Sequence, residues 1–325
     1  MTKGVFVTGA SGFLGQHVLD ALAVAEPDLR PVILTRKVTQ LPLAVRQRAT
    51  VVEGSLEQPE GWSDHPSLSD CVGILHLAAL VKHSRADAAE VLQANVAGTQ
   101  HIIHLGARLG CRVVFISTSG TVGCSLDRHA APDEDAPFAD ATVASWPYYA
   151  SKVAAERAAR SLAGELGVEL VTLRPPVLLG PGDAGGRSTA HVRRMMRSRP
   201  ILVDGGMHFT DVRDVAAAAV RALILPKPRA TYHLPGWNGS LLTFAELVAR
   251  TAGLRTRPTV VPWSLAYVAA RALAPFGHFH DPVLVEMARH HWNISSRYSA
   301  TDLEYRAREP EVTLRDCLDA LGRRS

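Results

Sequence analysis

An α/β fold, a doubly wound parallel sheet carrying a smaller, mostly helical C-terminal lobe, follows from three observations in the 325-residue sequence. Short runs of valine, isoleucine and leucine alternate with longer amphipathic stretches as far as Arg174. A glycine-rich turn, Thr8 to Gly15, joins the first apolar run to the first helical pattern. The alternation then breaks at a cluster of turn formers: Pro175, Pro176, Gly180, Pro181, Gly182, Gly185 and Gly186. Strands apolar on both faces and separated by helices belong to a parallel sheet covered on both sides. Right-handed crossovers supply the cover.

Taken in order, the apolar runs Val5–Thr8, Val32–Thr35, Val51–Glu53, Val72–Leu77, Arg112–Ser117 and Leu170–Leu173 predict strands. Leu14–Ala25, Asp87–Leu109 and Tyr148–Leu166 predict helices, since their apolar positions recur at helical spacing. Beyond the Pro/Gly cluster, a helix over Val212–Leu225 and a strand over Thr231–Leu234 return to the sheet. Thr243 reads as an N-cap, with Glu246 completing a capping box. Residues 240–325 hold three or four further helices and little strand. The expected division is 1–175 plus 207–234 for the sheet domain, with 176–206 and 235–325 as a lobe closing over its carboxyl edge.

Composition excludes several classes. With 47% hydrophobic and 20% charged residues the chain is an ordinary globular one, not disordered, collagenous or a disulfide scaffold. The 35 basic and 31 acidic residues give a net charge of +4, but the basic ones are dispersed, so no nucleic-acid partner is expected. No charged-then-apolar leader and no long apolar run is present, so neither a signal peptide nor a membrane span is expected. Cys71, Cys111, Cys124 and Cys317 lack metal-ligand spacing and read as free thiols in a cytoplasmic protein. His290-His291 and the run His278-Phe279-His280-Asp281 do not combine into a metal site, because adjacent side chains on a helix diverge.

The turn Thr8 to Gly15 reads TGASGFLG. Gly9 permits the tight turn, Gly12 lets the backbone approach a pyrophosphate, and Gly15 packs helix on strand. The helix that follows offers its free N–H groups to phosphates. The strand–turn–helix context is the one this motif requires for a dinucleotide, the Rossmann arrangement. At the end of the second strand, where an acidic residue would hold a ribose 2′-hydroxyl, stand Thr35-Arg36-Lys37. A guanidinium can hold a 2′-phosphate bidentately, so Arg36 favours NADP(H) over NAD(H).

Only five residues are lysines: Lys3, Lys37, Lys82, Lys152 and Lys227. Lys152 follows Tyr148 by four positions, which places both on one helix face. The ammonium is expected to favour the phenolate and lower the Tyr148 pKa, giving a proton donor or acceptor near neutral pH. Ser117-Thr118-Ser119 end a central strand, where open α/β sheets bind ligands. Ser117 and Thr118 are expected to satisfy backbone groups of the turn. One hydroxyl of this cluster can hydrogen-bond a substrate carbonyl oxygen and steady the charge that develops there.

The segments TGASGFLG, HLAA (His76 to Ala79), NVAGT (Asn95 to Thr99), STSGTVG, YYASK and RPPVLLGPG (Arg174 to Gly182) closely resemble, in order and spacing, the extended short-chain dehydrogenase/reductases, the NAD(P)-dependent epimerase/dehydratase group. Weaker similarity runs through FTDVRDVA (Phe209 to Ala216) to Ser295–Leu321. The resemblance implies that Tyr148 is the general acid/base, that Lys152 lowers its pKa and holds the nicotinamide ribose, and that Ser119 is their third partner. It implies cofactor contacts at Gly9, Ser11, Gly12, Phe13, Leu14, Gly15, Arg36, Ala78, Ala79, Pro175 and Val177. Ser55-Leu56 replaces the family's usual Asp-Leu at the adenine, a departure at that contact.

Within that family a dehydratase carries Asp-Glu where this chain has Gly120-Thr121. Nucleotide-sugar enzymes commonly aim an arginine from the lead into the FVHVDD segment, where this chain has Gly205-Gly206-Met207-His208-Phe209. That form resembles the dihydroflavonol reductase-like branch. The resemblance therefore implies NADPH-dependent reduction of a ketone or aldehyde, with a nucleotide-sugar epimerase using tightly bound NAD(P) as the alternative. Arg187, Arg193 and Arg194 keep that alternative open. A non-catalytic dinucleotide sensor would have no use for Ser119, Tyr148 and Lys152 together. The apolar helix Pro262 to Phe276 packs in the core, lines a substrate pocket or touches a membrane surface, and specificity resides in 183–200 and 236–290. A homodimer through Asp87–Leu109 and Tyr148–Leu166 is expected by resemblance alone.

Overall fold

The structure, a computed structural model, describes residues 3–274 and 282–322. The chain opens with β1 (Gly4–Thr8), α1 (Phe13–Ala25), β2 (Arg30–Thr35), α2 (Leu43–Arg48) and β3 (Thr50–Glu53). Next come β4 (Cys71–His76), α3 (Ala88–Leu109), β5 (Arg112–Ile116), α4 (Asp140–Val143), α5 (Pro147–Leu166) and β6 (Leu170–Arg174). The second half holds β7 (Val177–Leu179), α6 (Thr189–Met195), β8 (Ile201–Val203), β9 (Gly206–Asp211), α7 (Val212–Ile224) and β10 (Thr231–His233). It ends with β11 (Trp237–Ser240), α8 (Leu241–Thr251), β12 (Thr259–Val261), α9 (Trp263–Leu273), α10 (Val283–Ala288), α11 (Ser299–Asp302) and α12 (Pro310–Gly322).

Seven strands form one parallel sheet in the order β10-β6-β5-β4-β1-β2-β3. Side chains of successive strand residues point to opposite faces, and each face buries its own set. Val5, Val7, Ile33, Leu75 and Val114 face α1 and α7. Phe6, Val32, Leu34, Ile74 and Val113 face Ile102, Ile103, Ala159 and Ala163 of α3 and α5. Each such aliphatic side chain removed from water contributes roughly 1.5–3 kcal/mol. The chain order reverses between β1 and β4, so the loops after both strands open into one crevice at the carboxyl edge of the sheet.

Three expectations need correction. Segment 207–234 does not return whole: α7 and β10 cover and extend the main sheet, but β9 lies in a second sheet of order β11-β9-β7. There Phe209 is buried against Phe244 of α8, in the core of the smaller lobe. The N-cap of α8 is Ser240, whose Oγ accepts from Thr243 N at 3.0 Å, because β11 runs straight into the helix and places Thr243 inside its first turn. Five helices, α8 to α12, follow Ser240 among the described residues, two of them four and six residues long.

Candidate active site

The glycine turn comes first. Gly9 adopts φ +73, and a Cβ there would stand 2.7 Å from Ala78 N, so the turn and the close approach of the β4 loop both need glycine. A Cβ on Gly15 would lie 2.3 Å from Gly9 O; this glycine packs the helix on the turn itself. At Gly12 a Cβ would meet only Gly9 O, at 3.1 Å. Nothing else in the fold crowds that position, and the free space suits a group laid against the backbone. Gly12 is also the N-cap of α1, with no side-chain cap and no acidic residue in the first turn. Ser11, Phe13 and Leu14 complete a cradle of amides suited to phosphate.

Around this cradle the other expected cofactor positions line the sheet edge. Arg36 is exposed directly after β2 and forms no ion pair among the described residues. Ser55 and Leu56 follow β3, held where Ser55 O accepts from Trp62 Nε1 at 2.7 Å and Leu56 O contacts His101 Nδ1 at 2.7 Å. Ala78 and Ala79 follow β4, and Ala78 N donates to Thr8 Oγ1 at 3.3 Å. Pro175 O accepts from Ser119 N at 2.8 Å, and Val177 opens β7 beyond it.

A buried relay supports the β4 loop. Thr8 Oγ1 and His76 Nδ1 lie 2.8 Å apart, His76 Nε2 and Thr99 Oγ1 3.2 Å, and Thr99 Oγ1 donates to Asn95 O at 2.7 Å. Because Thr99 uses its proton on Asn95, its lone pair accepts from His76 Nε2–H, and His76 Nδ1 accepts from Thr8. Burial, reinforced by nearby Lys152, pushes His76 down to about 3, so it is the neutral imidazole this relay needs. Asn95 clamps Leu80: Oδ1 accepts from Leu80 N at 2.7 Å, and Nδ2 donates to Leu80 O at 3.0 Å. The same Nδ2 donates to Ser151 Oγ at 2.9 Å, and Ser151 Oγ donates to Tyr148 O at 2.7 Å. Asn95, within the quoted NVAGT, therefore joins the β4 loop to the turn carrying Tyr148.

Lys152 and Ser119 are held at the end of β5, and Tyr148 stands one helix turn before Lys152 on α5. Lys152 is fully buried, donates from Nζ to Ile116 O at 2.7 Å and lies 4.3 Å from the Phe115 ring centroid. Ser119 is buried three residues beyond Ile116, and its hydroxyl has no hydrogen-bond partner among the described residues. Thr118 Oγ1 accepts from Gly120 N at 3.3 Å, as expected of a turn hydroxyl. Ser117 departs from expectation: its Oγ donates to the Glu156 carboxylate at 2.9 Å. Glu156 is wholly buried, one turn beyond Lys152, and is paired with Arg174 at 2.5 Å.

The expected lowering of the Tyr148 pKa is not what the structure shows. Burial pushes Tyr148 up to about 12, and burial pushes Lys152 down to about 7, against the pull of Glu156. The lysine head is turned to the Ile116 carbonyl and the Phe115 ring rather than to the phenol, so it does not offset the desolvation of Tyr148.

Aromatic rings wall the cleft beside Tyr148. Tyr149 packs on Tyr148 at 5.2 Å and on Trp292 at 4.9 Å between centroids. A Cβ on Gly120 would stand 2.1 Å from Tyr149 Cε1, so an acidic side chain cannot replace this glycine without displacing the ring. Gly205 and Gly206 are pressed on residues 288–291, with added Cβ atoms 1.8 Å from Ala288 O and 2.7 Å from His291 Nδ1. His290 contacts Glu286 O, and no group of metal-ligating side chains occurs among the described residues. The run His278 to Asp281 and the end of the expected helix at Phe276 lie outside the described residues. No described helix is long and apolar enough to cross a membrane. A hollow of about 560 Å³ between α1 and α7, lined by Ala21, Val24, Val220 and Ile224, contains none of the three site residues.

A family model described as "NAD dependent epimerase/dehydratase family" matches residues 5–233. The chain belongs to that family. A candidate dihydroflavonol 4-reductase from Synechocystis sp. is 27% identical over 292 residues, covering 85% of this chain and 82% of that protein. The 4-hydroxy-2-methyl-3-oxo-4-farnesyl-3,4-dihydroquinoline-1-oxide ketoreductase of Stigmatella aurantiaca is 29% identical over 294 residues, covering 87% and 82%. The UDP-glucose 4-epimerase of Thermus thermophilus, solved with NAD, superposes with a TM-score of 0.74 at 18% identity over 98% and 99% of the chains. At that identity the epimerase shares the fold alone.

Proposed function

We propose that this family member is an NADP(H)-dependent oxidoreductase that reduces a ketone or aldehyde, with Tyr148 as proton donor. The observation that carries the reading is the Lys152 Nζ to Ile116 O bond, which ties the turn bearing Tyr148 to the strand end bearing Ser119. When bound, the nicotinamide cofactor would supply hydride to the carbonyl carbon. The turn through Gly9, Ser11, Phe13, Leu14 and Gly15 would hold its pyrophosphate, with Gly12, whose N–H donates to Gly9 O at 2.9 Å, letting the backbone approach, and Arg36 would hold its 2′-phosphate. Ser55, Leu56, Ala78, Ala79, Pro175 and Val177 would border the remaining groups, with Lys152 at the nicotinamide ribose.

The Ser119 hydroxyl, free of other partners, donates to the substrate carbonyl oxygen and steadies the charge that develops there. Tyr148, pushed up to about 12 by burial, holds its proton at neutral pH and delivers it to that oxygen as the C–H bond forms. Solvent then returns the proton to the phenolate, while Lys152, anchored on Ile116 O, holds the helix turn that carries it. The relatives named as a ketoreductase and a dihydroflavonol reductase support this chemistry. So does the lead Gly205-Gly206-Met207-His208-Phe209, which carries no cation of fixed charge where sugar-nucleotide relatives commonly place an arginine.

A nucleotide-sugar epimerase is the second reading, favoured by Arg187, Arg193 and Arg194, which are exposed and form no ion pair among the described residues. Absorbance at 340 nm separates the two. Net NADPH consumption with a panel of ketones and aldehydes supports the reductase; interconversion of a UDP-sugar without net consumption contradicts it. We also infer a cytoplasmic setting, supported by the free state of all four cysteines, and a homodimer built on the paired helices α3 and α5.

A further inference from the structure

His83 lies in the irregular segment between β4 and α3, and the proposed reaction does not use it. Asn95 grips that segment at Leu80 from both backbone groups, so the residues that follow are firmly placed. The imidazole packs edge-on against Tyr148, with centroids 5.8 Å apart at 78°, and tilts against Tyr149 at 6.2 Å and 34°. Its Nδ1 is sealed from solvent and has no hydrogen-bond partner among the described residues. Such an orphan in a native fold calls for an explanation.

Burial holds His83 below its ordinary pKa, so the ring is neutral and carries one N–H. A buried donor left without an acceptor is rarer than an acceptor left short. The proton therefore belongs on Nε2, and the enclosed Nδ1 keeps its lone pair. The residue as a whole is half-buried, which leaves the Nε2 edge as the polar group it can offer. The carbonyl being reduced already has two donors in Ser119 and Tyr148. A third donor packed on Tyr148 suits a second oxygen.

We propose that His83 orients the substrate, donating from Nε2–H to a second oxygen, carbonyl or hydroxyl, adjacent to the carbonyl that Tyr148 protonates. This rests on the reductase reading.

The test uses 2,3-hexanedione and 3-hexanone, equal in chain length and differing in the second oxygen. KM and kcat are measured for the full-length protein, His83→Phe and His83→Gln, with NADPH Kd on the same preparations. In His83→Phe the ratio of dione KM to monoketone KM should rise about tenfold, the effect of one lost hydrogen bond. The kcat for the dione should change less than KM, NADPH Kd should hold, and His83→Gln, which restores an N–H donor, should recover most of the ratio. A ratio within twofold of the parent, or failure of His83→Gln to recover it, overturns the proposal. Should the parent reduce neither compound, the panel of ketones and aldehydes at 340 nm decides the reductase reading, and saturation-transfer NMR of the dione on the NADP⁺-loaded protein decides for His83. Transfer present in the parent and lost in His83→Phe retains the orienting role; equal transfer in both, or none in the parent, overturns it.

Discussion

Lys152 Nζ donates to the carbonyl oxygen of Ile116 at 2.7 Å, with both groups buried at the carboxyl end of β5. This bond orients the lysine away from the Tyr148 phenol and fixes the helix turn against the strand that leads to Ser119. Among the described residues no hydrogen bond joins the Ser119 hydroxyl, the Tyr148 phenol and the Lys152 ammonium to one another; a backbone carbonyl anchors the lysine instead.

Tyr148→Phe keeps the ring contacts with His83 and Tyr149 and removes only the proton. Loss of a general acid costs about 10²–10⁴-fold in rate. We expect kcat to fall in that range while NADPH Kd, read by fluorescence titration, stays within twofold. Full activity in this variant would mean that another group, with Tyr149 the nearest, donates the proton.

Arg36→Ala should weaken NADPH binding and leave NADH nearly untouched. Charge-assisted hydrogen bonds contribute about 1.5–3 kcal/mol, so the NADPH Kd should rise roughly tenfold or more. Equal changes for the two cofactors would remove Arg36 from the 2′-phosphate.

Glu156→Gln leaves Arg174, 1% exposed, without its carboxylate. Breaking a buried pair by neutralising one partner costs about 3–5 kcal/mol. A drop of many degrees in Tm by calorimetry is the expected outcome, and an unchanged Tm would show that the His233 contact suffices for Arg174.

Stability should fall as pH is lowered through the histidine range. Burial pushes His76 down to about 3 and His208 down to about 4, from the usual 6.5. Between those values and 6.5 the unfolded chain binds more protons than the native one, so acid favours unfolding. Lys152 acts in the same sense at higher pH: its value near 7 lies below the usual 10.5, so stability rises as pH climbs from 7 towards 10.5. Tm by scanning fluorimetry should be several degrees lower at pH 5 than at pH 7.5. A flat profile would contradict the buried neutral state of these histidines.

The sheet, its glycine turn and the Tyr148/Lys152 pair were legible in the sequence because each is a local pattern: strand alternation, a strand–turn–helix glycine triplet, an i,i+4 spacing. What was missed depends on distant partners. Nothing near Asn95 in the chain shows that its amide meets Leu80 and Ser151, 15 and 56 residues away. The helix start at Ser240 was misplaced because Thr243 and Glu246 satisfy the same local pattern, and only the antiparallel pairing of β11 with β9 selects the earlier residue. The direction of the Tyr148 shift was missed because spacing gives a shared face but not where the lysine head points. His83 had no signal beyond being a lone histidine after the HLAA segment; its orphaned nitrogen exists only in the packed fold.

The most direct measurement is deuterium transfer from NADPH labelled at nicotinamide C4, on the face the enzyme uses, to a carbonyl substrate that it consumes at 340 nm. Mass spectrometry should find one deuterium on the carbinol carbon of each alcohol formed, one cofactor oxidised per alcohol, and both lost together in Tyr148→Phe. Turnover of a UDP-sugar with no net oxidation of NADPH, and no labelled alcohol from any carbonyl tested, would contradict it.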